Sequence, residues 1–479
     1  MNNNKLLAFI FCIIYILIRW YRLWDAPFFD YDSVKDTLIA KEILHGDFTL
    51  LFHHGTPLVH LFHAGMYFFL GNNIACLPPI FESIGLILLI HCLINMYKVT
   101  DLWIQALIYS IIGCSFLMIH LGRNISLEPY SMFIFPFWLQ RYILHLQKKE
   151  SSIKHFLLLG LLILINYKML LLAPFIFTID IIRYKIRIPL KEWLNYLYAF
   201  WIIPFTMLLS LITSGKAFHY LHTLGALLFS RSEQQSQNKF SIQFYIKYLI
   251  RFEHPLIWIG ILAIVMILIT KKRYTIEQKL LPWMIIYWIC FMSVFPAAPR
   301  GISMVIPLLL FFGTIFYAKA LNIRRKWKRS ILIISLMISV SYQIYLIQTN
   351  TFQFCEQKYS VMAMIIKKQH IKKVYTTISN GIIPYLDDST EVEVVMYEDD
   401  MNKLPIGSYI LSDAEAMLNG WKEIQTKECI FSINNPCKEE IMLALENAEY
   451  AGYDFEEALL ASKNVTELGD RQLCLYRVR

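Results

Sequence analysis

The sequence predicts a polytopic α-helical membrane protein with a small α/β domain at its C-terminal end. Of the 479 residues, 57% are hydrophobic and only 17% are charged, a balance that soluble proteins rarely have. Apolar runs recur throughout residues 1–349, which we assign to a transmembrane domain. Residues 350–479 differ, because acidic residues are frequent there and short β-type runs alternate with helical ones.

We predict about eleven transmembrane helices from the apolar runs. Residues 57–70 are apolar too, but their short length favours a re-entrant or interfacial segment. No small-residue cleavage site follows the first run, so we interpret it as a retained span and not as a signal peptide. The predicted spans lie near 6–18, 78–97, 103–120, 129–145, 155–167, 169–182, 194–213, 255–270, 280–296, 301–319 and 330–348.

Basic residues cluster in alternate loops, which orients the chain. The positive-inside bias places the N-terminus and the basic loops in the cytoplasm, and residues 350–479 outside. This predicts a multi-pass protein of the plasma membrane, that is, the bacterial inner membrane. The net charge of +9 then reflects helix ends and not nucleic-acid binding. The basic groups are Lys148, Lys149 and Lys154; Arg183, Lys185, Arg187 and Lys191; Lys271, Lys272, Arg273 and Lys279; and Arg324, Arg325, Lys326, Lys328 and Arg329.

Two acidic residues follow the first predicted span. Asp30 and Asp32 lie in an outer loop, 19–77, just before a helical run at 34–44. Carboxylates this close to a bilayer are costly unless they face water or a cavity. One carboxylate can take a proton from an acceptor hydroxyl while the other orients that hydroxyl or holds a cation. The alternative interpretation of Asp32 is a helix N-cap.

Histidines precede and enter the short apolar segment at 57–70. His53 and His54 lie just before it, and His60 and His63 share one face of it. Substrate contact, interfacial packing and metal ligation all fit this pattern. We predict substrate contact for His53 and His54, and we assign no metal site.

Three cations lie at predicted outer ends of spans and are candidates for binding a phosphate. Arg123 precedes Glu128, which can orient it or a sugar hydroxyl; a plain loop ion pair is the alternative. Arg300 stands alone in a short loop of Pro, Ala and Gly, where it binds an anion or snorkels to the interface. For Lys168 snorkelling is the favoured interpretation.

The order of these motifs resembles the C-type superfamily of integral membrane glycosyltransferases over residues 5–320. The likeness is to the branch with the protein O-mannosyltransferases, the aminoarabinose transferase of lipid A and the RgtABCD-like bacterial enzymes. The second acid of that family's usual Asp-Glu pair is replaced by Ser33. The matching segments are Asp32-Ser33 with Ala40-Lys41-Glu42-Ile43-Leu44, His54-Gly55-Thr56-Pro57-Leu58 with Phe69-Leu70-Gly71-Asn72, Gly122-Arg123 with Glu128-Pro129, and Pro299-Arg300 with Pro307.

The resemblance implies an enzyme that takes a sugar from a polyprenyl-phosphate donor. Asp32 would be the general base, or would orient the acceptor hydroxyl, with Asp30 as the second acid. Arg300, Arg123 and Lys168 would stabilise charge on the leaving lipid phosphate. His54, Glu128 and His53 are expected to contact substrate. The partners implied are the bilayer, the lipid-linked donor and a lipid, glycan or protein acceptor, without nucleic acid or a cofactor; a divalent cation has no support in the pattern.

Two other functions are open at this point. An O-antigen polymerase or ligase is also polytopic with outer arginines, but its large outer loop comes late in the chain, whereas the acidic loop here comes first. A lipid or sugar transporter would favour repeats and helices broken at mid-membrane. The polar groups of this sequence lie at the outer rim instead.

Overall fold

Apolar helices form most of the molecule in a computed structural model. Helix α1 is followed by α2 and α3, which pack against each other, and then by the long helices of the bundle. The structure describes residues 3–25, 31–185, 188–234, 241–270, 274–295, 297–321, 326–352, 358–377, 381–387, 389–395, 398–412, 428–433, 441–451, 453–467 and 473–478.

Within the described residues, helices α1 to α18 follow one another before the first strand. In chain order the helices are α1 Asn3–Trp20, α2 Tyr31–Leu44, α3 Pro57–Leu70, α4 Leu77–Tyr97, α5 Leu102–Gly113, α6 Phe116–Leu121, α7 Leu127–Leu146, α8 Ile153–Ile165, α9 Leu172–Tyr184, α10 Leu190–Tyr196, α11 Ile202–Ser214, α12 His219–Gln234, α13 Ile242–Phe252, α14 Leu256–Ile269, α15 Ile276–Met292, α16 Ile306–Leu321, α17 Lys326–Ile347, α18 Tyr359–Lys368, α19 Ile441–Ala451 and α20 Phe455–Glu467.

Four helical stretches within the described residues have the length and apolar composition that a membrane span requires. They are Asn3–Trp20, Pro57–Tyr97, Leu190–Ser214 and Arg329–Phe352. The helical membrane-protein class is thus supported by these four helices. Every predicted span contains helix, but several of these helices are shorter than a bilayer needs, so the number of eleven spans stays a prediction.

One predicted span is broken in the structure, and the short apolar segment at 57–70 continues into the next helix. The predicted span 103–120 is interrupted after α5, and Ser115 begins the separate helix α6 as its N-cap. The Glu253 carboxylate accepts hydrogen bonds from Ser115 Oγ (3.1 Å) and from the backbone N–H of Leu117 (2.8 Å), so it satisfies the start of α6. Residues 57–70 form α3, which a short 3-10 segment connects to α4 as one apolar stretch.

Helices α14 and α16 approach closely at two glycines. A Cβ atom on Gly260 would lie 2.1 Å from the Leu309 carbonyl oxygen, and one on Gly313 would lie 2.0 Å from the Leu256 carbonyl oxygen. Any larger side chain at either position would therefore push the two backbones apart. Small residues at such contacts are typical of helices that pack in a membrane.

A five-stranded sheet lies in the C-terminal region. Its strands are β1 Lys373–Thr377, β2 Glu391–Val395, β3 Tyr409–Ser412, β4 Glu428–Ile433 and β5 Leu473–Arg477, in the order β2-β1-β3-β5-β4. β1 pairs in parallel with β2 and β3, and β5 pairs antiparallel with β3 and β4. The α/β character of this region is confirmed; β4 was not among the predicted strands.

The last two helices do not belong to the core of this sheet. Met442 and Leu445 of α19 and Phe455 of α20 lie in the same hydrophobic core as the apolar helices of residues 1–349. The Phe455 ring stands edge-on to Phe244 of α13, with centroids 5.5 Å apart. The C-terminal region thus divides into a sheet with α18 and a helical pair that packs on the helical bundle.

Candidate functional site

The N-terminal turn of α2 meets the loop before α16. Asp32 lies in the first turn of α2, and Arg300 lies in the one-turn 3-10 helix Pro299–Ile302. Arg300 Nη1 donates a hydrogen bond to Asp32 Oδ2, and the two residues are 268 positions apart in sequence. Their side chains are 14% and 12% exposed, so the pair is mostly buried but not closed off from solvent. Asp32 Oδ1 is buried and has no hydrogen-bond partner among the described residues.

A second carboxylate reaches Arg300 from the C-terminal region. Glu446 lies on α19, and its Oε2 is 3.3 Å from Arg300 Nε. The Glu446 side chain is 11% exposed. One guanidinium therefore faces two carboxylates.

A second ion pair lies close to the first. Lys168 Nζ is 3.0 Å from Glu128 Oε1, and both side chains are nearly buried. The backbone N–H of Lys168 donates to the Asn166 side chain (3.1 Å), which fixes the turn that carries the lysine. Asp32 and Arg300 are near enough to interact with the charge of Glu128. We call these five residues the charged cluster: Asp32, Glu128, Lys168, Arg300 and Glu446.

Ser33 follows Asp32 in the first turn of α2, and its contacts show what it does there. Its Oγ accepts a hydrogen bond from the backbone N–H of Ile125 at 3.0 Å, and its side chain is buried. Thr37 Oγ1 donates to the Ser33 carbonyl oxygen one turn earlier in α2. The serine therefore attaches the start of α2 to the segment before α7, which carries Glu128.

A buried pair of a carboxyl group and an imidazole, Asp36 and His60, lies on α2 and α3 next to the charged cluster. His60 Nδ1 lies 2.8 Å from the Leu51 carbonyl oxygen, which only accepts, so Nδ1 carries a proton. His60 Nε2 lies 3.3 Å from Asp36 Oδ1, a contact that needs a further proton on one of the two groups. Burial raises the pKa of the Asp36 carboxyl, which favours holding that proton. Asp36 and His60 thus form a buried pair one helical turn from Asp32.

His63 and Tyr130 extend this arrangement towards α7. His63 Nε2 is 2.8 Å from the Tyr130 hydroxyl, and His63 Nδ1 is 4.0 Å from Asp36 Oδ2. All three side chains are buried. Sequence reasoning noticed the shared face of His60 and His63 but missed Asp36; its spacing of four from Asp32 on α2 was the available signal.

The other predicted site residues lie as follows. Arg123 is buried, and its Nη1 donates to the carbonyl oxygens of Arg19 (2.9 Å) and Tyr21 (2.6 Å), which ties it to the end of α1. Its guanidinium also lies 5.3 Å from the Phe352 ring centroid. His53 is half-buried in the turn before α3. Asp30 and the side chain of His54 lie outside the described part of the chain.

A fully buried ion pair between α1 and α4 was not predicted. Arg19 Nε lies 2.6 Å from Glu82 Oε2, and the side chains are 0% and 1% exposed. Arg19 also donates to the carbonyl oxygens of Tyr15 (3.3 Å) and Met118 (3.4 Å). Glu82 is the only acid in α4, and that lone acid in an apolar helix was the signal in the sequence.

The charged cluster offers acid–base and electrostatic chemistry. A carboxylate with a guanidinium counter-ion at a partly exposed site can take a proton from a hydroxyl, and two cations can hold an anion. Within the described residues, no group of three or more His, Cys, Asp or Glu side chains is arranged to hold a metal ion. No protein-family model matches this chain, and no curated protein matches it.

Proposed function

We propose that the protein is a membrane glycosyltransferase of the C-type superfamily. It transfers a sugar from a polyprenyl-phosphate donor to a lipid, glycan or protein acceptor at the outer face of the plasma membrane. The contact between Asp32 and Arg300 carries this proposal. The resemblance assigns the first residue to proton transfer and the second to the donor phosphate, and such residues must be neighbours in a working site.

Donor binding is coupled to the release of the base. Arg300 already faces the carboxylates of Asp32 and Glu446, and in this proposal an incoming phosphate replaces Asp32. Planar guanidinium groups bind phosphate oxygens as a fork, which makes the phosphate a strong competitor. When it takes Nη1 of Arg300, the Asp32 carboxylate is released to act on the acceptor.

The transfer step then uses both ends of the charged cluster. Asp32 takes the proton of the acceptor hydroxyl as the acceptor oxygen bonds to the anomeric carbon of the sugar. The bond between that carbon and the phosphate oxygen breaks, and its electron pair stays on the lipid phosphate. Arg300 and Lys168 stabilise the negative charge there. Attack from the face opposite the phosphate inverts the anomeric centre.

Deletion of the gene in its host tests this function for any sugar and any acceptor. Mass spectrometry of lipids, envelope glycans and exported proteins should reveal the loss of one glycosyl residue. The wild-type gene should restore it, and Asp32→Asn should not. Glu456→Gln is the matched control, because Glu456 pairs with Lys247 at 3.3 Å on an exposed surface. Unchanged glycans in the deletion strain, or full restoration by Asp32→Asn, would contradict the proposal.

The proposed sidedness is tested separately. Alkaline phosphatase is active only outside the cytoplasm, so a fusion after residue 350 should be active and a fusion near residue 326 should be inactive. The reverse result would place the charged cluster on the cytoplasmic side and remove the outer leaflet as the site of transfer.

A further inference from the structure

We propose that Glu446 is a positioning residue for Arg300, so that the C-terminal region supplies part of the donor phosphate site. This inference rests on the proposed function and adds to it a residue and a region that the likeness to known enzymes does not cover. The likeness ends near residue 320, whereas Glu446 lies on α19, Ile441–Ala451.

Two acids face different N–H groups of the Arg300 guanidinium. Nη1 faces Asp32, and Nε faces Glu446 Oε2 at 3.3 Å. A guanidinium is planar and its N–H groups point in fixed directions, so an acceptor at Nε sets the plane of the whole group. Glu446 therefore determines where the Nη atoms point.

The position of Glu446 is itself fixed by packing. Met442 and Leu445 of α19 are 0% exposed and belong to the core of the helical bundle. Met442 is one helical turn before Glu446 and lies on the same face of α19, and Leu445 lies beside that face. The face of α19 that packs on the bundle is therefore also the face that carries Glu446. Phe455 of α20 packs against Phe244 and Phe252 of α13 and supports the same docking.

Glu446 and Asp32 then have different roles when the donor binds. The phosphate replaces Asp32 at Nη1, while Glu446 stays at Nε and keeps the guanidinium plane in place. Without Glu446, Nε of Arg300 loses this acceptor, and a turn of the guanidinium plane lets it offer Asp32 two donors at once. The donor phosphate would then compete with a stronger internal pair, and its apparent affinity would fall.

The test is binding of undecaprenyl phosphate to the full-length protein in nanodiscs, with undecaprenol as the uncharged control lipid. Glu446→Ala should weaken binding of the phosphate roughly tenfold, the loss expected for one charge-assisted hydrogen bond, and should leave undecaprenol binding unchanged. Glu446→Gln keeps an acceptor oxygen, so its affinity should lie between those of Glu446→Ala and the wild type. Glu456→Gln, which removes a different contact between the same two regions, should bind like the wild type.

The outcomes separate the two proposals. If both Glu446 variants bind the phosphate as the wild type does, or bind it more tightly, Glu446 does not position Arg300 for the donor and the inference is wrong. If Glu446→Ala fails to fold, Glu446→Gln decides alone, because weaker binding supports the inference and equal or tighter binding overturns it. If the wild type binds undecaprenol and undecaprenyl phosphate equally, the proposed function fails first, and the inference with it.

Discussion

Two arginines of this protein are paired with acids, but in different ways. Arg19 lies in the core with Glu82, and its remaining donors meet the carbonyl oxygens of Tyr15 and Met118. Arg300 lies at a partly exposed position and faces two carboxylates, those of Asp32 and Glu446. The first pair is matched in charge, whereas the second has one negative charge in excess.

The difference indicates what each pair does. The Arg19–Glu82 pair is matched in charge, hydrogen-bonded and closed to solvent, so no ligand can replace either partner. It therefore holds α1 against α4. A guanidinium shared by two acids at an accessible site can give up one of them to an incoming anion. Variants at the Arg19 pair should therefore change stability, and variants at the Arg300 pair should change activity.

The largest effect is expected at the Arg300 pair. Asp32→Asn should lower the transfer rate ~10²–10⁴-fold, the usual loss when a general base is removed, with normal amounts of folded protein in the membrane. The measurement is the initial rate per folded molecule at saturating donor and acceptor. Near-normal transfer by Asp32→Asn together with an inactive Asp30→Asn would move the role of base to Asp30.

Variants at the Arg19–Glu82 pair should change the stability of the fold and not the activity. Glu82→Gln leaves Arg19 buried without a counter-charge, and breaking a buried pair in this way costs about 3–5 kcal/mol of unfolding free energy. Activity per folded molecule should stay close to that of the wild type. Denaturant unfolding in detergent, with Glu446→Gln measured alongside, checks this. A larger loss of stability in Glu446→Gln than in Glu82→Gln would reverse the comparison.

A smaller effect is expected at the glycine beside the matched pair. A Cβ atom on Gly122 would lie 1.7 Å from Glu82 Oε2 and 2.7 Å from Arg19 Nε. Gly122→Ala should therefore displace the pair and destabilise the protein by about 1–3 kcal/mol. Gly225→Ala in α12 is the matched control, since its Cβ would meet no atom within 4 Å. Equal melting temperatures for the two variants would show that the Arg19 pair tolerates displacement.

The smallest effect concerns pH and Asp36. Burial raises the pKa of the Asp36 carboxyl above its ordinary value of 3.8, so the folded protein holds this proton more tightly than the unfolded chain does. The contribution of this proton to the free energy of unfolding is fully present below pH 3.8, and it is lost as the pH rises through the folded-state pKa of Asp36. Wild type should therefore lose stability relative to Asp36→Asn over this range. The measurement is the unfolding free energy of the wild type and of Asp36→Asn at a series of pH values from 3.8 upward. A difference between the two proteins that does not change with pH would contradict the prediction.

Much of the architecture follows from local patterns in the sequence. Apolar runs predicted most helices of the bundle but not α12 and α13, and the short β-type runs predicted β1, β2, β3 and β5 with small shifts at their ends. Asp32 and Arg300 were singled out because charges are costly beside apolar spans. Such signals need only a few neighbouring residues, so they can be read without the fold.

The contacts that complete the site depend on long-range packing and could not be predicted in this way. Glu446 lies in a region of many acids, and only the docking of α19 on the bundle distinguishes it from the others. Likewise, Arg123 seemed equivalent to Arg300 in the sequence, yet it binds backbone carbonyl oxygens at the end of α1. The break after α5 depends on Glu253, which lies 136 positions beyond Leu117.

The central claim is that Asp32 and Arg300 act as one unit in sugar transfer. A double-mutant cycle tests it most directly, with transfer rates at limiting donor for wild type, Asp32→Asn, Arg300→Lys and the double variant. Residues that act as a unit show losses that do not add, so the double variant should be about as slow as the slower single variant. Losses that multiply in the double variant would mean that the two residues act independently, and would contradict the claim.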